Sequence, residues 1–276
     1  MIGLFLGDTN FSKIVLKKIK KQKKKYFIID FSKNNEFYRD KNSFRISIGK
    51  FGTIIDLIKQ KKCKRVLFAG KISKPNFSSL RLDFKGIYYM PSVIRAAKIG
   101  DAAIIKSIIK ILNNEGIKVI SSIFFNPELS LKKGNYTKLK PSKKDFKSIK
   151  KGKSFFKKTK NLDHIQALVV KGDKILAKEG KEGTKKMLST LKKKSDGILI
   201  KLPKKKQDLR MDLPTIGLQT FKDAKKYGLR GVVLQSKKHI FLDKTECIKF
   251  ANKNKIFINI IWKKYLYLQA NLQEIN

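Results

Sequence analysis

Acidic residues, arginine, cysteine and histidine are all scarce in this chain, and each shortage excludes something. The 276 residues hold 21 Asp plus Glu against 66 Lys plus Arg, a formal charge of +45. Arginine occurs only at Arg39, Arg45, Arg65, Arg81, Arg95, Arg210 and Arg230, so lysine supplies 59 of the 66 basic residues. Groove readers of nucleic acid favour the arginine fork for bidentate contacts with guanine and phosphate. A chain with no arginine cluster is poorly equipped for that role, and lysine reads here as the residue that fills solvated positions. The expectation is therefore no nucleic-acid partner, with a basic nucleic-acid-binding protein kept as an alternative. The field still suits phosphorylated substrates or an anionic bilayer.

The two cysteines, Cys63 and Cys247, lie far apart and form no CxxC pattern. Zinc is not indicated, and a reducing cytoplasm is compatible. The two histidines, His164 and His239, have no nucleophile at a recognisable spacing, which argues against a hydrolase triad. No apolar run is long enough to cross a bilayer. The opening "MIGLFLGDTNFSK" reads as a strand and a turn, without a basic leader before an apolar core.

Apolar residues make up 41% of the chain, enough for two ordinary domains. "IGLFL", "YFIIDF" and "RVLFAGK" read as buried strands, "FRISIG" as an alternating one and "IKVISSIFF" as the last of a set. Helical spacing separates them: Phe11 to Ile19, "FGTIIDLIKQKK", and a helix capped by Asp101. Strands alternating with helices give a parallel α/β sheet, read as a Rossmann-like domain over 1–128. Residues 129–160 are rich in lysine and read as a basic linker with a helix from about 142 to 157. Residues 161–276 read as a distinct mixed α/β catalytic domain. It opens on a hairpin turning at Gly172 and Asp173, and Asp243 with Glu246 forms a capping box.

Four segments carry candidate chemistry. "GDTN" (7–10) follows the first strand, where a glycine turn opening a helix presents N–H groups to phosphate. "AGKISKP" offers Lys71 and Lys74 at another strand end. In "KEGKEGT", Glu182 and Thr184 precede a helix, where capping is the default and metal binding the alternative. The fourth is "QDLRMDLPTIG" (207–217). In an extended loop, Asp208, Arg210 and Asp212 share one side, where carboxylates suit magnesium and the guanidinium suits a phosphate oxygen. A salt-bridged loop, with Arg210 neutralising both acids, is the competing reading. The bulky run Phe84 to Met90 could cover lipid, although the core is the ordinary fate of such side chains.

"FAGKISKP", "GDAAIIKSI", "QALVVKGDKILAKEGKEGT" and "DGILIKLPKKKQDLRMDLPTIG" occur in the order seen in one family. The chain resembles the UDP-2,3-diacylglucosamine pyrophosphatases of lipid A biosynthesis, of the type unrelated to calcineurin-like phosphoesterases. The resemblance implies a Rossmann-like domain followed by a second domain, with lipid bound between them. It implies magnesium-dependent hydrolysis of UDP-2,3-diacylglucosamine to UMP and 2,3-diacylglucosamine 1-phosphate. It implies work at the inner face of the cytoplasmic membrane as a peripheral protein, and it leaves room for a homodimer. Another Rossmann-like nucleotide-sugar enzyme is the alternative. The family's essential aspartate falls on Asp212 or Asp208. These two would hold the metal, and Arg210 would meet a phosphoryl oxygen. Gly7, Lys71, Lys74, Gln207, Thr215, Glu182 and Thr184 would contact substrate. Two positions depart from the family: Gly7-Asp8-Thr9 stands where glycine-serine-glycine is common, and Lys185 follows Thr184 in place of an aspartate.

Overall fold

A computed structural model describes residues 1–158, 165–180, 182–204 and 207–262. His164 and the tail expected to continue as a helix lie outside these residues. The chain divides into two compact units: 1–127 with 208–212, and 128–207 with the rest from 213.

The first unit holds β1 (Ile2–Leu6), α1 (Asn10–Lys21), β2 (Tyr26–Asp30), β3 (Ser43–Phe44), α2 (Phe51–Gln60), β4 (Arg65–Ala69), α3 (Phe84–Ile99), α4 (Asp101–Asn114) and β5 (Lys118–Val119). The expected parallel sheet is there, in the order β3-β2-β1-β4-β5. β1 is buried on both faces, as a central parallel strand must be. On α1, Phe11, Val15 and Ile19 recur every four residues and turn inward, while its lysines face water.

Two strands are shorter than their patterns suggest. β3 stops at Phe44, before a turn in which Lys50 donates its N–H to the Ser47 carbonyl. β5 stops at Val119, and Ser121 then caps a 3-10 turn over Ser122–Phe124. α3 was not evident from pattern, because Pro91 lies inside it. Its start is set by Asp83, whose carboxylate accepts the N–H groups of Gly86, Gly52 and Thr53 at 2.8, 3.0 and 2.9 Å. That ties the N-termini of α2 and α3 together and holds the Asp83 pKa down through those bonds, although burial opposes it.

The second unit holds β6 (Gly134–Asn135), α5 (Lys143–Lys158), β7 (Ala167–Lys171), β8 (Lys174–Lys178), α6 (Gly183–Ser189), β9 (Ile198–Lys201), β10 (Thr215–Ile216), α7 (Leu218–Lys226), β11 (Gly231–Gln235), β12 (Ile240–Phe241), α8 (Lys244–Lys253) and β13 (Phe257–Ile261). Its main sheet is mixed, in the order β6-β13-β11-β9-β7-β8, with β9, β11 and β13 parallel. β7 and β8 form the expected hairpin. Alternation along the strands builds two cores. Val169, Leu199, Val232 and Leu234 face Phe221, Cys247 and Ala251 of α7 and α8. Leu168, Val170, Ile200 and Val233 face Ile149 of α5.

The segment read as a linker therefore contains a wall of this unit. α5 lies on the sheet, and Gly152 is there because a Cβ would overlap Ile200. Asp145 in its first turn binds Arg230 through both oxygens, at 3.0 and 3.1 Å. The capping box at Asp243 is not formed. Asp243 adopts a left-handed conformation at φ 50°, and its side chain makes no cap bond.

Candidate active site

Residues 208–212 form a helical turn, which corrects the expected extended loop. The Asp212 N–H donates to the Asp208 carbonyl at 2.9 Å, and the Met211 N–H to the same oxygen at 3.2 Å. Met211 packs on the core of the first unit. Arg210 forks onto Asp208: Nε to Oδ1 at 2.9 Å and Nη2 to Oδ2 at 2.6 Å, with the Arg210 backbone N–H on Oδ1 at 3.0 Å. The fork holds the Asp208 pKa below the usual carboxylate range, with Lys106 adding to it. The competing reading thus holds for one acid: Arg210 neutralises Asp208. One turn on, half-buried Asp212 is not part of that fork.

No group of three or more His, Cys, Asp or Glu that could hold a metal occurs among the described residues. Magnesium does not need one, because it takes one or two carboxylates and completes its shell with water and substrate phosphate. Asp208 and Asp212 are the carboxylates this turn offers to that set; both oxygens of Asp208 serve Arg210, and Asp212 is engaged as well.

Gln207 precedes the turn and is only 9% exposed. Its Oε1 accepts from the Lys204 N–H at 2.9 Å, and its Nε2 is buried without a partner. Such an orphaned donor suits an oxygen of a ligand. Thr215, on β10, is exposed, and its hydroxyl donates to the Leu213 carbonyl.

At the end of β1, the chain is tied to the end of β4. Asp8 and Lys71 exchange two backbone bonds, at 2.8 and 2.7 Å. A Cβ on Gly7 would overlap the Lys71 carbonyl, and one on Gly70 would strike the Ser12 hydroxyl. Ser12 is buried and bonds the Gly7 and Ala69 carbonyls at 2.7 and 2.9 Å. The Asp8 carboxylate accepts the Lys33 N–H at 2.9 Å, beyond β2, so it is spent on backbone. Lys71 keeps an exposed side chain, whereas Lys74 donates to the Ala97 carbonyl near the end of α3.

In the second unit, Glu182 stands at the N-cap of α6 without capping it and is exposed. Thr184 belongs to a network that sequence reasoning missed. Its hydroxyl bonds the Glu179 carboxylate and receives Lys201 Nζ at 2.9 Å, while Glu179 also accepts the Gln166 N–H at 2.9 Å. Glu179 is only 7% exposed. The signal for it was the alternation of β8: Ala177 faces inward, so Glu179, two residues on, does too.

The family model of the LpxI N-terminal domain matches residues 1–129, and that of the LpxI C-terminal domain matches 132–259. The chain belongs to the LpxI family. A relative from Caulobacter vibrioides, the UDP-2,3-diacylglucosamine pyrophosphatase LpxI, is 31% identical over 223 residues, which cover 77% of this chain and 80% of that protein. The 207–217 segment supplies the acid pair, and Glu179 and Thr184 of the 178–184 segment join Lys201 of β9 in the buried network.

Proposed function

We propose that the protein hydrolyses the pyrophosphate of UDP-2,3-diacylglucosamine, releasing UMP and 2,3-diacylglucosamine 1-phosphate for lipid A biosynthesis. Membership of the LpxI family supports the reaction. The observation that carries the site is the 208–212 turn, which sets two carboxylates one helical turn apart and forks Arg210 onto the first.

Water attacks one phosphorus, and the bridging P–O bond breaks. Little covalent help is needed, so the work is positioning and charge neutralisation. Magnesium, when bound, would neutralise phosphate charge and acidify water. Asp212 would hold the metal or its water. Asp208 keeps Arg210 extended across the turn and leaves its remaining N–H groups for a phosphoryl oxygen. Gln207 offers its unpaired Nε2 to a sugar hydroxyl or phosphate. Lys71 adds positive charge at the end of β4. A cytoplasmic protein meeting its lipid at the inner membrane face completes the reading. Among the described residues, no helix is long and apolar enough to cross a membrane.

The test is UMP release from UDP-2,3-diacylglucosamine with magnesium. The wild type is expected to turn over and to stop on chelation. Asp212→Ala is expected to lose about 1,000-fold in kcat, the scale of removing one charge-stabilising group, while still binding substrate. No UMP at high enzyme concentration sinks the reading. Loss of binding in Asp212→Ala would make that residue structural.

A further inference from the structure

Helix α3 buries one face and leaves the other bare. Gly86, Met90, Val93 and Ala96 point inward. On the opposite side, Phe84, Ile87, Tyr88 and Pro91 recur at spacings of three and four, a single stripe. Phe84 is 89% exposed, Ile87 62% and Tyr88 75%. The core, the ordinary fate of such residues, claims only Met90 and most of Tyr89, whose hydroxyl bonds Glu115. Elsewhere the large exposed apolar residues, such as Tyr38, Phe146 and Leu176, are scattered along the chain. A contiguous exposed apolar stripe marks a contact surface.

The stripe runs on into Arg95 and Lys98, and Arg81 precedes the helix; all three are exposed, and among the described residues none has an acidic partner. Of the nearby acids, Asp83 caps two helices and Glu115 binds Lys59 and Lys85, which leaves the exposed Asp101 at the start of α4 against three cations. Apolar and aromatic side chains beside unpaired cations match the two layers of a bilayer surface, acyl boundary and anionic headgroup. The formal charge of +45 draws the whole molecule the same way.

We infer that the exposed face of α3 docks the protein on an anionic phospholipid surface. Phe84, Ile87 and Tyr88 enter the interface, and Arg81, Arg95 and Lys98 meet the phosphates. The inference rests on the proposed activity only in that a lipid substrate is met at a bilayer.

The experiment is co-sedimentation of the full chain with phosphatidylglycerol–phosphatidylethanolamine vesicles and with phosphatidylcholine vesicles. Binding is expected on the anionic vesicles. Phe84→Ser with Ile87→Ser, and separately Arg95→Gln with Lys98→Gln, are each expected to weaken it about tenfold. Should the first pair fail to fold, the second reads the same surface. Equal binding of variants and wild type overturns the inference, as does binding indifferent to lipid charge. If the variants turn a dimer into a monomer by light scattering, the face belongs to a second copy. If they abolish turnover of detergent-dispersed substrate, it belongs to the acyl chains. Either result overturns docking. Vesicle binding needs no turnover, so failure of the hydrolase reading is seen separately.

Discussion

At residue scale, position 9 shows what the first loop has taken on. Thr9 sits at φ 114°, a region that β-branched residues rarely adopt. The strain is tolerated because the bonds around it fix the loop: Ser12 to Gly7 and Ala69, and Asp8 to Lys71 and Lys33. Thr9→Gly relieves the strain but adds chain entropy to the unfolded state, and the two oppose each other. Strain on the order of 1–3 kcal/mol outweighs an entropic cost of about 1 kcal/mol. The variant is expected to be more stable by about 1 kcal/mol, read as a higher urea midpoint at unchanged m-value. An equal or lower midpoint would mean that Thr9 is not strained. The same loop shows where sequence reading stops. That Gly7 and Lys71 each follow a strand of the parallel sheet was legible. That Asp8 spends its carboxylate on the Lys33 N–H depends on β2 lying beside β1, which no local pattern displays.

At element scale, the long strands of both sheets were legible because burial writes itself as apolar runs and alternation, whereas the two-residue β6 lay hidden in the segment read as a linker. α5 was legible as a helix over about 142 to 157, but composition made it read as part of a linker and not as a wall of the second unit. Its outer face is so lysine-rich that the inward residues, Ile149 and Gly152, were hidden. α3 was missed for another reason: Pro91 and an exposed apolar face both disguise a helix. Gly152 is the residue on which the α5 contact turns, since a Cβ there meets the end of the Ile200 side chain and lies near Val170. Gly152→Val is therefore expected to push α5 from the sheet. The cost is about 1–3 kcal/mol of overpacking, partly offset by better helix propensity. Thermal unfolding checks it. If residues 143–158 were only a connector, the melting temperature would hold or rise.

At the scale of the whole molecule, charge and burial combine to make acid the weak side of stability. His239 is fully buried; its Nε2 accepts the Leu131 N–H at 3.1 Å, and its Nδ1 lies 2.7 Å from the Gln235 carbonyl. Burial lowers its pKa from 6.5 to about 4. The folded state thus keeps it neutral where the unfolded chain would protonate it. Its contribution is whole above pH 6.5 and is lost as pH falls through about 4, on the order of 3 kcal/mol. Glu115, clasped first by Lys59 and then by Tyr89 and Lys85, is lowered from 4.5 to about 2, so its contribution goes in the window below. Asp145 and Asp83 are shifted the same way. Each lost carboxylate charge also adds to a surplus that is already +45, and self-repulsion grows with it. All of these carry one sign. The urea midpoint should therefore fall from pH 6.5 to 5, before most carboxylates titrate, and then more steeply below pH 4.5. Salt should restore part of the second loss, because it screens repulsion between exposed charges. It should restore little of the first, which comes from desolvation of one buried ring. His239→Gln separates the two: it is expected to lower stability at pH 7 and to flatten the slope between pH 6.5 and 5. A slope that survives in that variant would assign the upper window to some other group.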